Sequence, residues 1–148
     1  LPTSGFRRPP TPEDRKEFAD ADGNIRSNSD LYVNGLNIFT FAHKAVFESV
    51  NRLLAKNSLN VSDIDIFIFH QAGEMLVNSC ARRLSIPREK IYCDIGDIGN
   101  CGGSSVPIAL ARAVKCGALK EGMRAVLCAF GVGLSWGAAL FTQGRMGK

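Results

Sequence analysis

The spacing of apolar residues predicts three amphipathic helices. From Ile38 to Leu54 apolar side chains recur every three or four positions, which is the period of a helix with one buried face, and Asn57 ends this pattern. Two further helices are predicted over residues 74–84 and 104–116. Pro87 follows the second of these helices closely and Gly117 the third, and both residue types are typical of helix ends.

Short apolar runs between these helices predict strands. The run Ile-Asp-Ile-Phe-Ile-Phe at residues 64–69 is dense in β-branched and aromatic residues, which favours a strand buried on both faces. Other strands are predicted over residues 31–33, 91–93, 125–130 and 135–142. Alternation of strands and helices predicts an α/β fold, with a layered, mixed sheet flanked by helices.

The first 30 residues lack this pattern. Residues 1–12 hold four of the six prolines, and residues 13–30 are charged without an apolar period. We therefore expect residues 1–30 to form an extended lead-in or surface connection, and residues 31–148 to form the domain.

The stretch from residue 125 to residue 144 carries no charge and is long enough to span a bilayer. Its glycines, Gly131, Gly133 and Gly137, dilute the apolar character and disfavour a helix. Two strands joined by a glycine turn fit this stretch better, so no membrane segment is expected.

Charge and cysteine usage exclude several classes of function. The net charge is only +4 and is scattered along the 148 residues, which gives no argument for nucleic-acid binding. The five cysteines form no CxxC pair and no cluster with histidine, so neither a disulfide framework nor a metal site is predicted. Free thiols of this kind are typical of the reducing cytoplasm.

Three features stand at the carboxyl ends of predicted strands, where α/β sheets gather functional groups. They are His70, Asn100 and the turn Gly131-Val132-Gly133. Taken singly, each has an ordinary structural explanation, since a histidine can cap a strand end and asparagine and glycine are common in turns.

Two other chemistries receive less support from the same region. Residues 99–105 precede a helix but lack the lysine of a P-loop, which argues against nucleotide hydrolysis. Cys101 lies beside Asn100 and could be a nucleophile, although packing among small residues is the commoner role of a free cysteine.

In combination, the motifs resemble a known family. His70-Gln71-Ala72, then Gly99-Asn100, then the segment 130–137 (Phe-Gly-Val-Gly-Leu-Ser-Trp-Gly) follow the order and spacing seen in the C-terminal half of β-ketoacyl-acyl carrier protein synthase III. The resemblance extends from about Leu31 to Phe141. It implies a thiolase-like half-domain of a condensing enzyme that serves fatty acid or related biosynthesis.

The resemblance implies a role for each motif. In this family a cysteine takes an acyl group from acyl-CoA, and a malonyl group on acyl carrier protein is decarboxylated and attacks it. His70 and Asn100 would donate hydrogen bonds to the enolate oxygen. The turn of Gly131, Val132 and Gly133 would hold the oxyanion of the acyl-enzyme through a backbone N–H. Coenzyme A thioester and malonyl-acyl carrier protein are substrates, and no permanently bound cofactor or metal is implied.

Helix 74–84 carries the expected carrier-binding residues, with one departure from the family. Arg82 and Arg83 match paired basic residues that face the acidic carrier, although a solvated helix face is an equal alternative. Met75 stands where the family has an arginine implicated in carrier binding.

None of the five cysteines lies in the context of the family's nucleophile, which belongs to the N-terminal half. We therefore expect that this chain lacks that half, is inactive alone, and forms part of a homodimer in the full enzyme. A non-catalytic module that binds a carrier protein or a partner is the alternative. A type III polyketide synthase is disfavoured, because Gly131-Val132-Gly133 differs from that family's Gly-Phe-Gly-Pro-Gly turn.

Helix 104–116 is apolar around much of its circumference, and in a thiolase fold the core helices of two halves pack together. We expect this helix to drive self-association or tight binding of the N-terminal half.

Overall fold

Helices and strands alternate along the computed structural model, which describes residues 9–30, 33–131 and 133–145. The chain divides into two compact units, one ending at Ile38 and the other beginning at Phe39. In the first unit, a 3-10 helix at Glu13–Arg15 precedes an antiparallel hairpin of β1 (Phe18–Ala19) and β2 (Ile25–Arg26). The hairpin strands are exposed, and the division into residues 1–30 and 31–148 stays a prediction.

The predicted helices and strands of the rest of the chain are present within a few residues of their expected bounds. Of the strand predicted at 31–33, residues 31 and 32 lie outside the described residues and Val33 is not in a strand. The observed elements are α1 (Gly35–Lys56), β3 (Ile66–Phe69), α2 (Glu74–Arg83), β4 (Ile91–Tyr92), α3 (Ser105–Lys115), β5 (Arg124–Gly131) and β6 (Ser135–Thr142).

Helix α1 begins three residues before the apolar pattern does, at Gly35. The side-chain oxygen of Asn34 accepts a hydrogen bond from the backbone N–H of Asn37 at 3.0 Å, which caps the free end of the helix. The position at which α1 begins is therefore determined by the Asn34 cap and not by the apolar pattern.

The four main strands form one mixed sheet in the order β4-β3-β5-β6. Strand β3 pairs in parallel with both β4 and β5, while β5 pairs antiparallel with β6. The uncharged stretch is thus a pair of strands, as predicted, and no helix in the described part of the chain is long and apolar enough to cross a bilayer. The expected fold class is confirmed.

Helices cover the sheet on both faces. Strand β3 is at the centre, and its four side chains are buried because they alternate between the two faces and each face has a helical cover. On one face, Phe67 and Phe69 pack with α2 and with α1 from Phe39 onward. On the other face, Ile66 and Ile68 pack against α3.

Only part of the apolar surface of helix α3 packs against this sheet. Val106, Ala109 and Ala113 are buried, whereas Ile108 and Val114 are half-buried. The association expected of this helix stays a prediction.

Candidate functional site

His70 directly follows β3, the central strand. Its backbone N–H donates to the carbonyl oxygen of Cys128 on β5 at 2.8 Å, which extends the parallel ladder by one bond. Its imidazole is 9% exposed and meets the ring of Phe130 edge-on, with 4.9 Å between centroids. The sheet and an aromatic neighbour therefore fix this side chain.

The imidazole of His70 is kept neutral and available. Burial lowers its pKa below the ordinary value of 6.5, because a low-dielectric environment disfavours the charged form. Neither ring nitrogen forms a hydrogen bond within the described part of the chain. A neutral imidazole has one N–H donor and one acceptor nitrogen, so this ring can donate to a ligand.

Asn100 lies in the loop that connects β4 to α3, and its side chain is exposed. Its Oδ1 accepts hydrogen bonds from the backbone N–H of Gly102 at 3.0 Å and from the hydroxyl of Ser105 at 3.4 Å. Because these donors occupy the amide oxygen, the Nδ2 hydrogens remain as donors. Gly99, with φ +61°, supplies the left-handed backbone just before Asn100.

Parallel pairing brings these residues to one edge of the sheet. The carboxyl ends of β3, β4 and β5 point the same way, and they are followed by His70, by the loop that contains Asn100, and by the glycine turn. The structure thus places three predicted features at one edge, with His70 in the middle.

The glycine turn between β5 and β6 is built around Gly133. Its φ is +146°, and a Cβ there would lie 2.9 Å from the Ser135 hydroxyl oxygen, so only glycine fits without strain. Gly131 is the last residue of β5. Val132, the middle residue of the predicted turn, lies outside the described residues.

Aromatic side chains extend from His70 toward the surface, and sequence analysis gave them no role. Phe130 meets Phe41 of α1 at 6.2 Å, and Phe41 meets Trp136 of β6 at 5.4 Å, both edge-on. Trp136 is 52% exposed. These rings form an apolar wall from the histidine to solvent, and the sequence carried no signal that would join residues so far apart.

Gln71 is a second residue that sequence analysis left without a role. It is fully buried; its Nε2 donates to the carbonyl oxygen of Phe69 at 2.6 Å, and its Oε1 accepts from the backbone N–H of Asp94 at 2.8 Å. The side chain therefore joins the end of β3 to the loop after β4. The sequence did contain one indication of this role, since Gln71 is a polar residue close to the end of an apolar strand.

Arg82 and Arg83 lie in the last turn of α2, at the opposite end of that helix from His70. Both are exposed, and the guanidinium of Arg83 stacks over the ring of Phe47 at 4.6 Å. Met75, in the first turn, is 72% exposed. The structure leaves this pair on the surface and does not bring it to the strand ends.

The cysteines are free, and the described ones differ in burial. Cys80 and Cys128 are buried, which raises the pKa of their thiols to about 11 and about 12. Burial also raises the pKa of Cys93. Cys101 is exposed and its Sγ donates to the carbonyl oxygen of Ile98 at 3.3 Å. Thiols with a raised pKa are poor nucleophiles.

A shallow recess of about 560 Å³ lies against β4 and α3. It is lined by Tyr92, Arg112, Lys115 and Cys116, and it contains none of the predicted site residues. Among the residues that the structure describes, no group of three histidine, cysteine or acidic side chains could hold a metal ion.

Comparison with known proteins gives a consistent result. Residues 54–143 match the model of the family described as 3-oxoacyl-[acyl-carrier-protein (ACP)] synthase III C terminal. The chain is 41% identical over 119 residues to the beta-ketoacyl-[acyl-carrier-protein] synthase III of Clostridium perfringens, and these cover 80% of this chain and 37% of the relative. It is also 33% identical over 141 residues to the beta-ketoacyl-[acyl-carrier-protein] synthase III of Rhodopirellula baltica, and these cover 95% of this chain and 38% of that relative.

A solved structure is similar in fold as well. A crystal structure of 3-oxoacyl-(acyl-carrier-protein) synthase III superimposes with a TM-score of 0.88 and 33% identity, covering 96% of this chain and 42% of that one. The chain therefore spans about four tenths of the length of the proteins it matches.

Proposed function

Because the chain belongs to the 3-oxoacyl-[acyl-carrier-protein] synthase III C-terminal family, and so has a thiolase-like half-domain, we propose that it is the C-terminal part of a condensing acyltransferase. The reaction joins an acyl group from acyl-CoA to a malonyl group on acyl carrier protein, in fatty acid or related biosynthesis in the cytoplasm. The observation that carries the proposal is the pair of available donors, His70 and Asn100, at neighbouring strand ends.

The two donors act on the decarboxylation step. When the malonyl thioester loses carbon dioxide, the electron pair of the broken C–C bond moves into the thioester carbonyl and leaves negative charge on its oxygen. An N–H of neutral His70 and the Nδ2 of Asn100 stabilise that oxygen. The enolate carbon then attacks the acyl carbonyl, and the turn of Gly131, Val132 and Gly133 supports the oxyanion that forms there. Collapse of this intermediate breaks the C–S bond, which releases the cysteine thiolate and leaves the 3-oxoacyl product on the carrier.

Burial of His70 and the hydrogen bonds of Asn100 support the proposal that both donors are neutral and fixed. An imidazolium at His70 would have to be desolvated, and burial already shifts its pKa downward. Asn100 keeps its amide plane because Gly102 and Ser105 hold its oxygen. Donors that are fixed before the reaction need no reorganisation as charge develops, which is why such sites are effective.

The acyl-carrying cysteine is proposed to come from outside these 148 residues. The buried thiols of Cys80 and Cys128 have raised pKa values, which disfavours the reactive thiolate. Because the family's nucleophile belongs to the N-terminal half, the chain alone is expected to be inactive and to require that half, within a homodimer.

The carrier is proposed to dock on α2. Arg82 and Arg83 offer two exposed positive charges, which suit an acidic partner. Met75 adds an exposed apolar side chain at the other end of the same helix, so the contact combines charge with apolar area.

The test uses an enzyme completed with the N-terminal part of the Clostridium perfringens relative. His70→Ala and Asn100→Ala are each expected to lower condensation by 10²- to 10³-fold, about 3 kcal/mol, because each removes one donor to the enolate oxygen. Transfer of the acyl group from acyl-CoA to the enzyme should change less than about twofold, since that step forms no enolate.

His43→Ala is the matched control, because His43 is half-buried on α1 and has no part in the proposed chemistry. It should leave both steps within about twofold. Unchanged condensation in His70→Ala would overturn the proposed role. A completed protein that binds the carrier but performs neither step would instead favour the non-catalytic binding module.

A further inference from the structure

The loop between β4 and α3 is attached to the rest of the fold at its start. The backbone N–H of Asp94 donates to Oε1 of Gln71, whose Nε2 donates to the carbonyl oxygen of Phe69. Gln71 is fully buried, so water does not compete for these hydrogen bonds. The loop start and the end of β3 therefore keep a fixed relation to each other.

Arg112 of α3 holds the same loop at a second and a third point. Its Nε lies 2.9 Å from Oδ2 of Asp94, and its Nη2 lies 3.0 Å from Oδ2 of Asp97. The contact with Asp97 is a hydrogen bond, whereas Oδ2 of Asp94 accepts none from the described residues, so the Asp94 contact is electrostatic. The guanidinium therefore holds both carboxylates close to α3 and orients that of Asp97. The pair with Asp97 is exposed and contributes little to stability, so its geometric effect is the more important one.

The end of the loop is attached to the same helix. Ser105, which is fully buried in the first turn of α3, donates to Oδ1 of Asn100. Arg112 lies about two turns further along α3, so both residues stand on the same side of the helix. The loop segment that ends at Asn100 is thus held between α3 and the buried end of β3.

We infer that Arg112 is a positioning residue for Asn100, an inference that rests on the proposed role of Asn100 as a donor. Arg112 contacts no reacting atom. Together with the buried Gln71 at the loop start, it fixes the loop so that the Nδ2 of Asn100 and the ring of His70 face the same enolate oxygen. Small displacements of a catalytic group are costly in rate, so loosening this loop lowers the rate of condensation and leaves acyl loading unchanged.

Arg112→Gln in the completed enzyme tests the inference. The kcat of condensation should fall about tenfold, while the KM for malonyl-carrier and the rate of acyl loading change less than twofold. Arg112→Lys, which keeps the charge but cannot reach both carboxylates, should recover about a third of the activity. Asp97→Asn, which removes one of the two ion pairs, should lower kcat about threefold.

Lys115→Gln is the matched control, because it removes the same charge from an exposed position on the same helix. It should leave kcat within about twofold. A fall equal to that of Arg112→Gln would attribute the effect to charge alone and overturn the inference.

A double variant separates positioning from a general structural effect. In an Asn100→Ala background, Arg112→Gln should cause no further loss, because the side chain that it positions is gone. Additive losses would overturn the inference. If Asn100→Ala lowers condensation and Arg112→Gln does not, only the positioning role fails; if Asn100→Ala has no effect, the proposed function of that residue fails.

Discussion

The two proposed donors, His70 and Asn100, are held in different ways. His70 is nearly buried and continues a central strand, so backbone pairing and a ring contact place it. Asn100 is exposed in a loop, where hydrogen bonds to Gly102 and Ser105, together with side chains that hold the rest of the loop, place it.

This contrast separates the stability of the fold from the precision of the site. The residues around His70 belong to the apolar core, where a change costs free energy of unfolding. The residues that follow Asn100 are small and exposed, so a change there costs little stability but alters the direction of a side chain. Substitutions on the two sides should therefore be visible in different measurements.

Phe67→Ala is expected to have the largest effect on stability. Phe67 is fully buried in β3, and removing its ring leaves a cavity between the sheet and α2, so the free energy of unfolding should fall by about 3–5 kcal/mol. Urea unfolding of the chain measures this loss. Phe18→Ala, at a position 47% exposed, should cost less than about 1 kcal/mol, and so should Asn100→Ala. Equal losses at Phe67 and Asn100 would contradict the contrast.

Gly133→Ala should have an intermediate effect. Its φ of +146° and the 2.9 Å approach of a Cβ to the Ser135 hydroxyl oxygen predict a loss of about 1–3 kcal/mol in the same unfolding measurement. The control is Gly137→Ala in β6, where an added Cβ meets no atom within 4 Å. That variant should change stability by less than about 1 kcal/mol. A Gly133→Ala protein as stable as the Gly137→Ala protein would contradict the strained turn.

The smallest expected effect is a difference in salt dependence between two titrations. The pKa of His70 is lowered by burial, whereas the pKa of Asp97 is lowered by its hydrogen bond to Arg112. NMR titration should therefore show that 1 M salt raises the pKa of Asp97 toward 3.8 and leaves that of His70 unchanged. A His70 pKa that rises with salt would indicate a charge effect and contradict the role of burial.

Both shifts have the same sign in their effect on stability. The folded state holds a proton on each group less readily than the unfolded state does. The contribution of His70 is complete above pH 6.5 and is lost as the pH falls through its lower folded pKa. That of Asp97 is complete above pH 3.8 and is lost below it in the same way.

The sequence alone predicted the fold correctly where residues of one kind follow one another, as in the apolar run that forms β3. The run at 64–69 predicted a buried strand because a dense series of β-branched and aromatic side chains favours a strand covered on both faces, and residues 66–69 form such a strand. The carboxyl-end rule predicted that His70 and the loop of Asn100 follow strands at the same edge of the sheet, and the parallel pairing of β3 with β4 agrees with this; their roles stay a prediction. Gln71 and Arg112 remained without roles, because their partners lie at distant positions and hydrogen-bond pairing has no periodic signature in sequence.

The parallel pairing of β3 with β5 also determines when the site can form. Each residue of β3 pairs with one about 60 positions later in the chain, as Phe69 does with Cys128. Such distant pairing requires the closure of a long loop before any contact compensates for it, which slows folding. During synthesis the N-terminal part of a chain leaves the ribosome first. The backbone N–H of His70 therefore has no partner until Cys128 of β5 has been made. We therefore expect this edge to assemble late in folding, and truncations near residue 128 should leave the helices partly formed and His70 without its backbone partner.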